Sequence, residues 1–256
     1  MIILLSPAKS LNYDSPVFYS NYTIPHFKNE VTELASELKK LSSSDLKTIM
    51  KVSDKLADLN HERFRIFSDK FDINNSKQAL LVFDGDVYKS IEVKNFDDSD
   101  FIFAQKNLRI LSGLYGVLKP LDLIQPYRLE MGTSFNKNFF VKNLYNFWGD
   151  KISKYLDDEC NAGGGKPLIN LASEEYFSAI NSQKISSKII NIIFKEKKGD
   201  EYKIIGINAK KARGLMTNFI IKNKITNYQD LKSFNSEKYS FSKEKSDDCN
   251  FVFTRF

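Results

Sequence analysis

The stretch Leu111-Ser-Gly-Leu-Tyr-Gly-Val-Leu-Lys-Pro120 decides the reading of the fold, because its two glycines can close a helix on a tight turn. Upstream, Asp98 or Ser99 is placed to cap a helix whose Phe101, Ala104, Leu108 and Leu111 share one face, with Gly113 placed to end it. Gly113 and Gly116 then frame a tight turn around Tyr115. Glycines let a backbone approach a phosphate closely, which is the logic of a helix-hairpin-helix element holding nucleic acid without reading its sequence. Lys106, Arg109, Lys119 and Arg128 lie along the same stretch and add charge. A plain glycine cap followed by a loop fits the spacing equally well. Pro120 and Pro126 forbid a long second helix.

On the N-terminal side, Ile2 to Leu5 reads as a short buried strand stopped by Ser6-Pro7. Helical spacing runs from Asn29 to Leu41, and Ser42 and Ser53 are placed to cap further helices. Gln78 to Phe83 reads as a strand followed by the turn Asp84-Gly85-Asp86. On the C-terminal side, one helix is expected from Leu144 through Leu156, closed by Asn161-Ala-Gly-Gly-Gly165. A strand at Leu168 to Leu171 runs into Ser173-Glu174-Glu175, which has the form of a cap with first-turn carboxylates. Ile189 to Phe194 and Tyr202 to Ile207 form a hairpin, a helix covers Lys210 to Lys222, and Phe251 to Phe253 is a last edge strand. Strands and helices mix without regular alternation, so the expected fold is α+β: one domain over residues 1–256 with a mixed β-sheet flanked by helices.

The chain of 256 residues is 42% hydrophobic, enough for a sizeable core. Its 38 Lys and Arg against 32 Asp and Glu give +6, a mild lean towards anionic partners. Cys160 and Cys249 lie far apart and outside any Cys/His cluster, so neither a disulfide framework nor a zinc site is indicated. No metal and no cofactor is expected, since the sequence offers only scattered carboxylates for one. Met1 to Leu5 is too short for a signal peptide and no 18-residue apolar run follows, so a cytoplasmic protein with no membrane partner is expected.

Four constellations could carry chemistry. Ser6-Pro-Ala-Lys9 matches a Ser-x-x-Lys acylating pattern and Ser53-Asp54-Lys55 imitates its companion, but the third motif is missing; Lys9 at a sheet edge could instead meet an anion. Asn208-Ala-Lys210-Lys211-Ala-Arg213-Gly214 opens a helix with three cations, which the positive end of a helix dipole disfavours unless an anion binds there. Asp84, Asp86, Glu174 and Glu175 all follow strands and could meet at one sheet edge as metal ligands or as an acid/base pair, although turn and cap chemistry explains each. Trp148, the sole tryptophan, is read as a core or interface anchor rather than a base-stacking platform.

The motifs Ser6-Pro-Ala-Lys-Ser-Leu11, Gly85-Asp-Val-Tyr88, Leu111-Ser-Gly-Leu-Tyr-Gly116, Gln125-Pro-Tyr-Arg-Leu-Glu-Met-Gly132, Phe147-Trp-Gly-Asp150 and Ala209-Lys-Lys-Ala-Arg-Gly-Leu-Met216 together resemble the peroxide stress protein YaaA family, also called UPF0246 or DUF328, nearly end to end. The resemblance implies peroxide resistance, a fold of the family's own, a basic cleft, a helix-hairpin-helix element and duplex-DNA binding. Carried over, the hairpin maps to Gly113, Tyr115 and Gly116, flanked by Lys119, and the cleft to Lys9, Lys55, Arg128, Lys210, Lys211 and Arg213. Two departures stand out: the glycines are three apart rather than two, and the prolines shorten the second helix. The leading expectation is therefore a monomer that binds DNA through phosphates. The alternative is an enzyme acting on a nucleotide or other phosphorylated substrate in the same cleft, with Glu130, Glu174 or Asp84 as acid/base.

Overall fold

Ile2–Leu5 is the axis of the molecule: all four residues are apolar and buried, as a strand covered on both faces requires. In the computed structural model, which describes residues 1–137 and 139–256, this strand pairs in parallel with Leu108–Ser112 on one side and Leu168–Asn170 on the other. The sheet continues in parallel through Ile189–Lys198 to Asn250–Arg255. Antiparallel strands finish it: Gly116–Leu118 at one edge, Ser240–Phe241 at the other, and Glu201–Lys203 against the far end of Ile189–Lys198. The result is an eight-stranded mixed sheet flanked by helices, as the sequence predicts, with a parallel centre that the irregular element order hides.

The opening segment is where the structure departs most from the sequence reading. Its helix ends at Asn107, and Leu108–Ser112 turns back through Gly113 to Tyr115 into Gly116–Leu118 as a β-hairpin, so the helix-hairpin-helix element is not formed. Leu108 and Leu111 do fit the helical stripe, but buried strand positions are apolar as well, and in so short a run the two periods cannot be separated. Both glycines answer to packing. A Cβ at Gly113 would run into the Leu129 carbonyl, and one at Gly116, whose φ is +67°, would lie 2.7 Å from the Trp148 ring.

Smaller departures have local causes. Lys77–Gln78 and Phe83–Asp84 are short strand pieces separated by one helical turn, Ala79–Val82, rather than one strand. Gly149, at φ +47°, divides the expected long helix into Leu144–Trp148 and Lys151–Asn161. Asn250–Arg255 lies inside the sheet, shielded by Ser240–Phe241. The basic helix begins at Gly206, four residues before Lys210, which moves Lys210, Lys211 and Arg213 into its second turn and beyond. The dipole conflict inferred from the sequence is thereby weakened, since the effect fades after the first turn. Among the described residues, no helix is long and apolar enough to cross a membrane, and Cys160 and Cys249 are free thiols.

Candidate functional site at the carboxyl edge of the sheet

From Ile2–Leu5 the chain next enters the sheet at Leu108–Ser112 on one side, then at Leu168–Asn170 on the other. The order reverses beside Ile2–Leu5, and in open parallel sheets such a switch point leaves a crevice beyond the strand ends where ligands bind. Ser6 and Ser173, the residues that leave these two strands, meet across it: the Ser173 backbone N–H donates to Ser6 Oγ at 2.8 Å, and the Ser6 hydroxyl donates to Ser173 Oγ at 3.1 Å. A side-chain ladder, Asn170 to Asn191 to Asn250, at 3.0 Å per step, ties the neighbouring strands, and Asn170 Oδ1 accepts from the Ala172 N–H to shape the turn towards Ser173.

Loops close over this edge. Ser10–Leu11 pairs with Phe83–Asp84, and Gly85 sits so close to Ala8 that an added Cβ would approach it to 3.1 Å. Lys9 Nζ, on a side chain 63% exposed, reaches Glu130 Oε2 at 3.0 Å, while Arg128 Nη2 donates to Glu130 Oε1 at 2.8 Å. Glu130 is thus gripped by two cations, and Arg128 Nε is buried without a hydrogen-bond partner among the described residues. Behind them lie tyrosines. Tyr88 donates to the Ser6 carbonyl at 2.9 Å, and Tyr127 exchanges a 2.7 Å hydrogen bond with Ser112 Oγ. Burial, reinforced by Tyr127 and Tyr176, pushes the Tyr88 phenol far above its usual pKa; burial does the same to Tyr127 and Tyr176. These phenols are neutral hydrogen-bonding struts at physiological pH.

The expected site residues separate into five places. Lys9, Arg128 and Glu130 meet at the carboxyl edge. Lys210, Lys211 and Arg213 reach its neighbourhood through the Asp86–Ile91 helix, which touches Ala8 through the preceding Gly85 and packs its Val87 carbonyl against Gly214. Lys210 and Lys211 are exposed. The half-buried Arg213 guanidinium has no ion pair or hydrogen bond among the described residues, and burial lowers its pKa. Gly113, Tyr115 and Gly116 are buried in the core. Lys119 turns to the opposite edge and pairs with Glu159 at 3.2 Å, while Lys55 stands exposed near the start of the Asp54–Ile66 helix.

Of the acid/base candidates only Glu130 is engaged in the cluster. Glu174 is exposed on the helix that Ser173 starts, and Asp84 faces Lys89 at 3.6 Å. The neighbouring Glu175 is the one built in: its Oε1 accepts from the Gly132 N–H at 2.9 Å and its carbonyl accepts from Tyr145 at 2.9 Å. Glu175, one of the four strand-following carboxylates, is the one the fold builds in, whereas Tyr88 and Tyr127 escape sequence reasoning because only their place in short motifs marks them. Lys9 pairs with Glu130 while Ser6 Oγ bonds to Ser173, so among the described residues no amine is hydrogen-bonded to the serine. Among the described residues no group of three or more His, Cys, Asp or Glu could hold a metal ion.

Fold and site define a mixed α/β protein with a polar, cation-bearing cluster at the switch point of its sheet. A family model described as "Peroxide stress protein YaaA" matches residues 1–245, and the chain is 46% identical over 257 residues to UPF0246 proteins of Burkholderia cenocepacia and Burkholderia lata, covering 100% of this chain and 98% of theirs. The chain belongs to the peroxide stress protein YaaA family, UPF0246.

Proposed function

We propose that the protein serves the peroxide stress response in the cytoplasm as a monomer that binds duplex DNA through phosphate contacts at the carboxyl edge. The observation that carries this reading is the Arg213 guanidinium, half-buried and unpaired among the described residues, beside exposed Lys210 and Lys211 on a helix whose first turn holds no acidic residue. Unpaired cations on one rigid element are what backbone-only recognition needs, and no base-reading group is required. The buried turn from Gly113 to Gly116 has no part in it. Fluorescence anisotropy of a short labelled duplex tests the reading. Affinity should fall linearly with salt on logarithmic axes, and Lys210→Ala with Lys211→Ala should flatten the slope by about 0.9 per phosphate contact removed. Absence of binding at low salt, or indifference to salt, would sink it.

A second reading is supported by the Lys9–Glu130–Arg128 cluster standing on the same edge as Ser6 and Ser173, which resembles the lining of a small active site for a nucleotide or other phosphorylated substrate. In that reading Lys9 and Arg128 clamp the phosphate and Glu130 moves a proton. Turnover measured over a panel of nucleotides and nucleic acids separates the two.

A further inference from the structure

A large cavity lies at the other end of the sheet. It is an open-sided groove of about 1170 Å³ between the segment from Tyr19 to Phe27, the end of the Asp98–Asn107 helix and the Lys151–Asn161 helix. Ligand pockets usually measure about 300–1,000 Å³, so the groove has room for a small molecule. Six Lys and Arg residues line it against three carboxylates. Two of those carboxylates are already engaged: Glu159 by Arg109 and Lys119, and Asp122 by the Thr23 hydroxyl at 2.6 Å and the Lys119 N–H at 2.8 Å. The side-chain ammonium groups of Lys106, Lys154 and Lys166 have no ion pair or hydrogen bond among the described residues.

The arrangement is built rather than incidental in two respects. Arg109, 1% exposed, backs the groove and donates to the Gln105 and Leu108 carbonyls at the helix end, while its Nε is buried without a partner among the described residues. Lys166 is placed by the glycine run before it. Gly164 and Gly165, at φ +79° and +81°, turn the chain so that the Gly165 and Lys166 N–H groups reach the Cys160 carbonyl, and the Lys166 side chain lies over Gly163, where a Cβ would displace it. The lining also carries aromatic surface, with the His26 and Tyr155 rings 4.6 Å apart and tilted by 46°, and Ile24 and Ile102 stand exposed at the rim.

From this geometry we infer that the amino-edge groove is a second ligand site, which takes a phosphate ester carrying a planar ring, the nucleotide class, with the phosphate among Lys106, Lys154 and Lys166 and the ring against Tyr155 and His26. It shares no residue with the crevice of Ser6, Lys9 and Glu130, and it stands whether or not DNA binds there.

Calorimetric titration with AMP, with adenosine and inorganic phosphate as separate arms, tests it. AMP should bind saturably and at least about tenfold more tightly than adenosine or phosphate alone, since the phosphate meets the free ammonium groups and the base meets the rings. The double variant Lys154→Glu, Lys166→Glu should lose about tenfold or more of that affinity with an unchanged melting temperature, both ammonium groups being unpaired. Lys210→Ala with Lys211→Ala should leave AMP binding intact. The inference is overturned if AMP does not saturate, if adenosine binds as well as AMP, or if only the carboxyl-edge variant loses AMP. It is also overturned if duplex DNA displaces AMP and the groove variant loses both, which would make the groove part of a nucleic-acid surface.

Discussion

The indole N–H of Trp148 donates to the carbonyl oxygen of Gly113 at 2.9 Å, and the same ring lies over Gly116. One buried tryptophan therefore fixes both ends of the turn between the Leu108–Ser112 and Gly116–Leu118 strands. The glycine pair follows from the ring: Gly113 must let the Leu129 backbone pass, and Gly116 must take a left-handed φ beneath the indole. Gly116→Ala adds αL strain of about 1–3 kcal/mol to overpacking of about 1–3 kcal/mol. Urea denaturation should show a loss of about 3 kcal/mol or more; a loss below about 0.5 kcal/mol would mean that the turn is not held by Trp148.

Arg109 and Glu159 form the most enclosed ion pair of the amino edge, with Lys119 as the carboxylate's second partner at 3.2 Å. Burial opposes ionisation of Glu159, but Arg109 and Lys119 outweigh it and draw its pKa below the usual value. Glu159→Gln leaves the guanidinium buried without a counter-charge, a change that costs about 3–5 kcal/mol in enclosed pairs and less here because Glu159 is partly exposed. A loss of about 2–3 kcal/mol in denaturant unfolding at pH 7 is expected. Because the folded-state pKa is depressed, this stability is present above the unfolded value and fades as pH falls through the folded one. The penalty of the variant should accordingly shrink in acid; a penalty that grew would contradict the pairing.

Asp122 behaves in the opposite sense. Burial raises its carboxyl from 3.8 to about 6, although Thr23 and the Lys119 N–H favour the anion. A raised acid binds its proton more tightly in the folded state. Its contribution is complete below the unfolded pKa and is lost as pH rises towards about 6, roughly 3 kcal/mol for a shift of about two units. Asp122→Asn removes this dependence while imposing a constant hydrogen-bond penalty. The difference in stability between wild type and variant should move in favour of the variant between pH 4 and pH 7. A difference that stays flat would show that Asp122 is not raised.

Much of this was legible because local chemistry decided it. Ser42 and Asp45 form the capping box that the serine cluster suggests, Ser173 starts its helix, and Trp148 anchors the core. Three things were hidden. Leu108 to Ser112 reads as helix because its core-facing leucines suit both periods. The division of the cations between the sheet's two edges depends on strand direction, which no local pattern carries: Lys119 and Arg128 are close in sequence yet face opposite ends. Glu175 and Glu174 are equivalent as first-turn carboxylates, and only the fold brings Gly132 to one of them.

Glu130 is the residue at which the two functional readings part. It holds Lys9 and Arg128 together, so it competes with any phosphate for the same two cations. Glu130→Gln keeps the shape and removes that competition. If the carboxyl edge binds DNA, affinity for a duplex at low salt should rise about two- to tenfold, because two freed cations add to the counterion-release term and the salt slope steepens. The cost to folding should stay below about 2 kcal/mol, since Lys9 is exposed and Arg128 only partly buried. If Glu130 instead transfers a proton in an active site, phosphate-ester turnover should collapse by about a hundredfold or more while substrate affinity holds or improves. Measuring duplex anisotropy and turnover on one preparation therefore decides the matter. A fall in DNA affinity would refute the phosphate-contact reading of Lys9 and Arg128 outright, since removing a negative charge from their midst cannot weaken an electrostatic grip on an anion.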